Sequence, residues 1–224
     1  MQYRHEVKHE ISPADKPGLI ARLRTVCKPD PHVGPNGMYT ISSLYFDNLQ
    51  DKALREKIDG AAHREKFRIR YYNQDPSFML LEKKVKDDDL GYKLSALISK
   101  EEVQKLLDGD TSWMLSSGRE LIVELYSKMH TELLRPRVIV DYTRTPFVYG
   151  PGNVRVTVDE QIRTSLRVKD FLKADHGAIP AGDDVMLLEV KWDGFLPANV
   201  WRAVQMHGHA SGAFSKYARC RIYG

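Results

Sequence analysis

Alternation at a period of two residues dominates this sequence. Near the start, Arg4, Glu6, Lys8 and Glu10 fall on one side, and Tyr3, His5, Val7, His9 and Ile11 on the other. That is the spacing of an extended strand, whose successive side chains point to opposite faces. The pattern returns along the chain. Arg68 and Arg70 alternate with Phe67, Ile69 and Tyr71; Glu82, Lys84 and Lys86 with Leu81 and Val85; Arg137 and Asp141, extended by Arg144, with Val138 and Val140. Arg155, Thr157 and Asp159 alternate with Val154, Val156 and Val158, and Glu189 and Lys191 with Leu188 and Val190. Most charged strand residues lie on solvated outer faces. Here, however, nearly whole stripes are charged, and each apolar face still needs something to pack on. A barrel answers both demands when its apolar outer face buries against helices and its charged face lines the interior.

The same periodicity predicts strands over 2–11, 38–47, 64–74, 77–87, 91–98, 136–149, 153–160 and 184–193. Helices are expected at 13–27, 100–108, 118–132, 166–173 and 197–208. Ser12, Pro13 and Asp15 form the start signal of the first helix, and Ser99 with Glu102 a capping box for the second. Segments 28–37, 109–117 and 173–184 are rich in loop formers. The expectation is one α+β domain over 1–224: a closed antiparallel β-barrel with helices packed outside.

His5-Glu6-Val7-Lys8-His9 matches the H-E-x-x-H pattern of zinc peptidases. That pattern needs a helix, where positions four apart share a face. In a strand the two imidazoles stand roughly 13 Å apart, beyond the reach of one ion. Alternation puts both histidines on the apolar side, in a packing role.

Composition narrows the rest. No apolar run approaches the ~18 residues of a membrane span, and no signal peptide is visible, so a cytoplasmic location is expected. Cys27 and Cys220 match no metal spacing and read as free thiols. A formal net charge of +4 is too mild to indicate nucleic acid, and no basic aromatic platform is present.

An interior wall of Arg and Lys with a few carboxylates has a direct chemical use. The cations bind phosphate oxygens, and the carboxylates hold a divalent ion that bridges to the same phosphates. At this point the chain resembles the triphosphate tunnel metalloenzymes, and more closely the polyphosphate polymerase domain of vacuolar transporter chaperone (VTC) proteins. The resemblance rests on YRHEVKHEIS, SLYFDN, FRIRYYN, LEKKVKDD with GYKLS, YTRTPF, VRVTVDEQIR, LLEVKWDGFLP and FSKYARC, in order along the chain.

The resemblance implies that Lys8, Arg68, Arg70, Lys84 and Lys93 are phosphate ligands, with Arg144, Arg155 and Lys216 on the far side. The Arg set with Lys84 and Lys93 would serve catalysis. Glu189 would hold the metal, Mn or Mg, with Glu6 and Glu82 as candidates for a second contact or for positioning lysines. Salt bridges from Glu189 to Lys191 and from Glu82 to Lys84 are the plainer reading of those carboxylates. The implied reaction is polyphosphate synthesis from the γ-phosphate of a nucleoside triphosphate. Its partners would be the nucleotide, the phosphate chain and a membrane protein that exports the product at the inner face of a membrane. The same wall would also suit a triphosphate hydrolase or a non-catalytic polyphosphate or inositol-phosphate binder. Tyr45 and Asp47 close SLYFDN, where Asp47 before Asn48 is also ordinary turn chemistry. Tyr71, Tyr72 and Trp192 read as core or rim aromatics.

Overall fold

A computed structural model describes residues 4–87, 90–206, 212 and 214–223. The parts of the expected elements at Gln2, Tyr3, His207 and Gly208, and Asp88, the last residue of LEKKVKDD, lie outside the described residues. The chain divides into two compact units, each assembled from three separate stretches.

The first unit comprises Met1–Thr40, Tyr142–Ile162 and Gly182–Phe214. It holds strand β1 (His5–Ile11), helix α1 (Asp15–Val26), the short β2 (Lys28–Pro29), strand β10 (Met186–Trp192), helix α5 (Ala198–Ala203) and parts of β7 (Arg135–Tyr149) and β8 (Val154–Ser165). β10 lies between β1 and β8 and pairs antiparallel with both. Ile11, Val156, Val158, Leu188 and Val190 pack with Leu19 and Leu23 of α1 and Val200 and Ala203 of α5. The apolar faces of these strands are therefore the helix-covered ones, and Leu23→Ala at this fully buried position would cost about 2–5 kcal/mol. α1 begins two residues later than expected. Ser12 donates its N–H and hydroxyl to Asp15 at 2.8 and 2.6 Å, and Pro17 occupies the first turn, where no N–H is required.

The second unit comprises Ile41–Asp141, Arg163–Ala181 and Ser215–Gly224. Its main strands are β3 (Tyr39–Asp47), β4 (His63–Tyr72), β5 (Asp75–Asp87) and β6 (Leu90–Ile98), neighbours in that order. Asn73 and Gln74, both left-handed at φ 53° and 57°, make the two-residue turn between β4 and β5. A turn of this handedness matches strand twist and fixes register. Phe67, Ile69, Met79 and Leu81 pack against Val103 and Leu106 of α3 (Lys100–Leu107) and Leu121, Ile122 and Leu125 of α4 (Glu120–Thr131). The expected capping box at Ser99 and Glu102 is present.

Two helices of this unit were not expected: α2 (Lys52–Ile58) and α6 (Lys216–Tyr223). The buried Asp47 carboxylate joins them. It accepts the N–H groups of Asn48 and Ala53 at 2.9 Å and of Leu54 at 3.2 Å, together with the hydroxyl of Tyr217. Asp47 is thus more than a turn former. The segment expected as a helix at 166–173 is a single 3-10 turn at Val168–Asp170, and Ile179–Pro180 forms the short β9.

The fold class is α+β with a large antiparallel sheet, whose strands follow the order β1-β10-β8-β7-β3-β4-β5-β6. This path has two ends. Among the described residues no ladder joins β6 to β1, so the expected barrel is not formally closed by hydrogen bonds. No described helix is long and apolar enough to cross a membrane.

Candidate functional site

The faces turned away from the two helix-packed cores carry the charge. In the second unit, Arg64, Lys66, Arg68 and Arg70 share one face of β4, opposite to Phe67 and Ile69. Register sets Arg68 against Glu82 and Lys66 against Lys84 on β5, and sets Lys84 against Lys93 on β6. Glu82 is the centre of the group and is 1% exposed. Nε and Nη2 of Arg68 both lie 2.7 Å from one of its oxygens, Lys93 Nζ is 2.5 Å from the other, and Arg70 Nη1 is 3.9 Å away. Burial opposes charge on Glu82, but Arg68, Arg70 and Lys93 outweigh it and hold the carboxyl well below the usual carboxylate range.

The arginines have further partners on β3. Arg70 Nε donates to Ser43 Oγ at 3.0 Å, and Arg68 Nη1 donates to Tyr45 Oη at 2.9 Å. Burial works against ionising Tyr45, yet Arg68 and Arg70 hold its pKa below the ordinary tyrosine value. Lys216, at the start of α6, adds to the same positive field around Tyr45. The arginines are thereby fixed in place before any ligand arrives, which reduces the ordering cost of binding.

In the first unit, Glu6 and Lys8 on β1 face Lys191 and Glu189 on β10. Lys8 pairs with Glu6 and stands 3.5 Å from Glu189; Lys191 is 2.7 Å from Glu189 and 3.5 Å from Glu6. Burial lowers the Lys8 pKa, but Glu189 and Glu6 more than offset that, so it lies above the usual lysine value. Arg144 donates from Nε and Nη2 to the two oxygens of Asp159, at 2.6 and 2.8 Å, and approaches Glu189 at 3.9 Å. Arg155 donates to Tyr39 Oη at 2.7 Å and pairs with Asp30 at 2.9 Å.

The sequence-derived residues therefore fall into two groups. Arg68, Arg70, Glu82, Lys84, Lys93 and Lys216 belong to the second unit, and Glu6, Lys8, Arg144, Arg155 and Glu189 to the first. Glu82 partners Arg68 and Lys93 across the strands, where adjacency in sequence suggested Lys84. The plainer pairing of Glu189 with Lys191 is present. Arg144 does not extend the Arg137 stripe: it shares parity with Val138, Val140 and Tyr142, and its guanidinium lies 5.4 Å from the Tyr142 ring. Arg137 and Asp141 instead contact Asp51 and His176. His5 stacks on Trp192 at 5.4 Å, so β1 separates the two histidines of the peptidase pattern along a strand. Lys66 was missed, although its parity with Arg68 was readable in REKFRIR.

Among the described residues no group of three or more His, Cys, Asp or Glu side chains is placed to hold a metal. Glu189 and Glu6 share two ammonium partners, and Thr157, directly opposite Glu189 on β8, has a buried Oγ1 without a hydrogen-bond partner. Magnesium-type ions use one or two carboxylates and take their remaining oxygens from phosphate and water. This donor set fits an ion of that kind when a phosphate is bound beside it. Glu82 is a poorer candidate, because Arg68 and Lys93 occupy its two oxygens at 2.7 and 2.5 Å.

Comparison with known proteins defines the class. The structure is similar to that of a candidate adenylate cyclase from Bacillus halodurans, with a TM-score of 0.51 and 12% identity over 85% of this chain and 80% of that one. It also aligns with the PH1012 protein of Pyrococcus horikoshii, with a TM-score of 0.49 and 11% identity over 95% and 96% of the two chains. The first of these likenesses concerns the fold alone. The family model of the VTC domain matches residues 3–222, and the chain belongs to that family. No curated protein sequence matches it.

Proposed function

We propose that this chain is a metal-dependent phosphotransferase that lengthens polyphosphate with the γ-phosphate of a nucleoside triphosphate. The observation that carries the reading is the convergence of Arg68, Arg70 and Lys93 on the single buried carboxylate of Glu82. Three cations share one anion, which leaves positive charge for phosphate oxygens on side chains already held in position. Arginine supplies planar paired donors to such oxygens. Membership of the VTC domain family supports the same reading.

In the reaction, a terminal oxygen of the phosphate chain attacks the γ-phosphorus. The bond from that phosphorus to the β,γ-bridging oxygen breaks, and the nucleoside diphosphate departs with the bonding electrons. The transition state of phosphoryl transfer is loose, so the protein mainly positions the reactants and neutralises charge. No side-chain nucleophile is needed. Arg68 and Arg70 would orient the donor phosphates, while Lys8 and Lys191 hold Glu189 and Glu6 in place. A divalent ion held by Glu189, with Glu6 beside it, would supply Lewis-acid neutralisation of the phosphate oxygens. A membrane protein that receives the product belongs to the same proposal.

The test is incubation with ATP and magnesium or manganese, with ADP, free phosphate and long-chain polyphosphate resolved separately. ADP with matching polyphosphate is expected. ADP with matching free phosphate would make the protein a triphosphatase. Tight polyphosphate binding with no ADP would make it a binding module.

A further inference from the structure

Lys66, Lys84 and Lys93 occupy one rung across β4, β5 and β6, each directly opposite the next. The neighbouring rung, Arg68, Glu82 and Ser95, contains a carboxylate; the lysine rung contains none. Like charges directly opposite one another destabilise a sheet. Among the described residues the Lys66 side chain forms no hydrogen bond or ion pair, and its ammonium lies 5.0 Å from the centre of the Tyr217 ring.

The charges around Lys66 are unevenly distributed. Lys57 approaches from α2, Arg64 from its own strand and Lys84 from β5, all of like sign. Asp47, at the end of β3, is the opposing charge, and it already accepts three backbone N–H groups and the Tyr217 hydroxyl. Burial, followed by repulsion from Lys57, Arg64 and Lys84, pushes Lys66 down to about 7 despite Asp47.

We propose that Lys66 completes, with the Lys84 and Lys93 already read as phosphate ligands, a subsite for one phosphate of a polyanionic chain, and that Lys66 takes up a proton from solvent as that phosphate arrives. The inference rests on the functional reading above and adds a ligand and a proton to it. The neutral amine plus one proton gives the ammonium, and no bond to phosphorus forms or breaks. An anion beside Lys66 favours the charged form, so binding and protonation reinforce each other. Affinity then rises as pH falls through the neutral range.

Calorimetry of metal-free tripolyphosphate binding, run in two buffers of different ionisation heat, counts the protons taken up. Because the ligand titrates as well, the readout is the difference between the wild type and Lys66→Arg, whose side chain remains charged. Near pH 8 the wild type is expected to take up at least about half a proton more than Lys66→Arg. Lys66→Met is expected to bind about tenfold more weakly than the wild type. Equal proton uptake by wild type and Lys66→Arg would overturn this inference alone, whereas no tripolyphosphate binding by the wild type would overturn the functional reading with it. Should the variants fail to fold, carbon-13 NMR of the wild-type lysine ε-carbons decides the matter. One lysine should titrate near neutrality and cease to do so with tripolyphosphate; a spectrum without such a lysine overturns the proposal.

Discussion

Arg68 and Glu82 stand directly opposite each other on β4 and β5, and two nitrogens of the guanidinium lie 2.7 Å from the same carboxylate oxygen. Through this contact one buried anion organises the cations of its sheet face.

Acid stability should report on Glu82. Its pKa is lower in the folded chain than in the unfolded one, so its stabilisation is present above the ordinary glutamate range and is lost as pH falls through the depressed folded value. Glu82→Gln should cost about 3–5 kcal/mol at neutral pH, because it removes the buried anion shared by the buried Arg70 and the partly buried Arg68. The gap between wild type and variant should narrow in acid. Urea unfolding at a series of pH values checks both points, and a gap independent of pH would contradict the assignment.

Asp159→Asn should be equally severe in the first unit. The largely buried Arg144 guanidinium has both oxygens of the fully buried Asp159 as partners, and these hold its pKa well above the usual arginine value against the effect of burial. Loss of about 3–5 kcal/mol in denaturant unfolding is expected. A change below about 1 kcal/mol would place this pair in the class of weak surface bridges.

Glu189 separates chemistry from binding. Glu189→Gln keeps the shape but not the charge, so metal-free triphosphate binding should be unchanged or tighter while turnover with ATP falls at least about a hundredfold. Lys8→Ala should weaken triphosphate binding. Wild-type turnover in a folded Glu189→Gln protein would remove Glu189 from the metal site.

The histidines of the opening strand provide the contrasting case. A His5→Ala, His9→Ala double variant should retain metal-dependent activity, since His5 packs on Trp192 and neither joins a group of metal ligands among the described residues. Loss of a stoichiometric zinc ion, measured by mass spectrometry of metals, would reinstate the peptidase motif.

Tyr217→Phe tests the link between the last helix and the end of β3. Removing a hydroxyl from a buried carboxylate should cost about 1.5–3 kcal/mol, the range for hydrogen bonds to charged groups. Thermal unfolding measures it; no change would mean that the backbone donors alone satisfy Asp47.

Alternation made the strands legible where it is strict, as over 67–71 of β4, 154–159 of β8 and 188–191 of β10. It failed on β7, where Val138, Ile139 and Val140 are all apolar and carry no parity, so Arg144 was joined to the wrong stripe. α2 and α6 left no amphipathic trace. α2 buries only Ala53, and α6 only Tyr217 and Cys220, so both are held by tertiary contacts such as Asp47. The cations of the site were readable by type, but their partners were not. The pairing of Arg144 with Asp159 depends on which strands become neighbours, and local sequence does not encode that.

The position of β10 has a consequence for biosynthesis. It follows all the other long strands in chain order, yet it lies between β1, the earliest of them, and β8. Until residue 192 has left the ribosome, both flanking strands present open edges, and such edges invite mispairing with other chains. Vectorial folding thus cannot complete the first unit piecewise. Because β10 also brings Glu189 and Lys191, an incompletely synthesised chain lacks the carboxylate proposed to hold the ion, and maturation of the fold and acquisition of chemistry become a single late event.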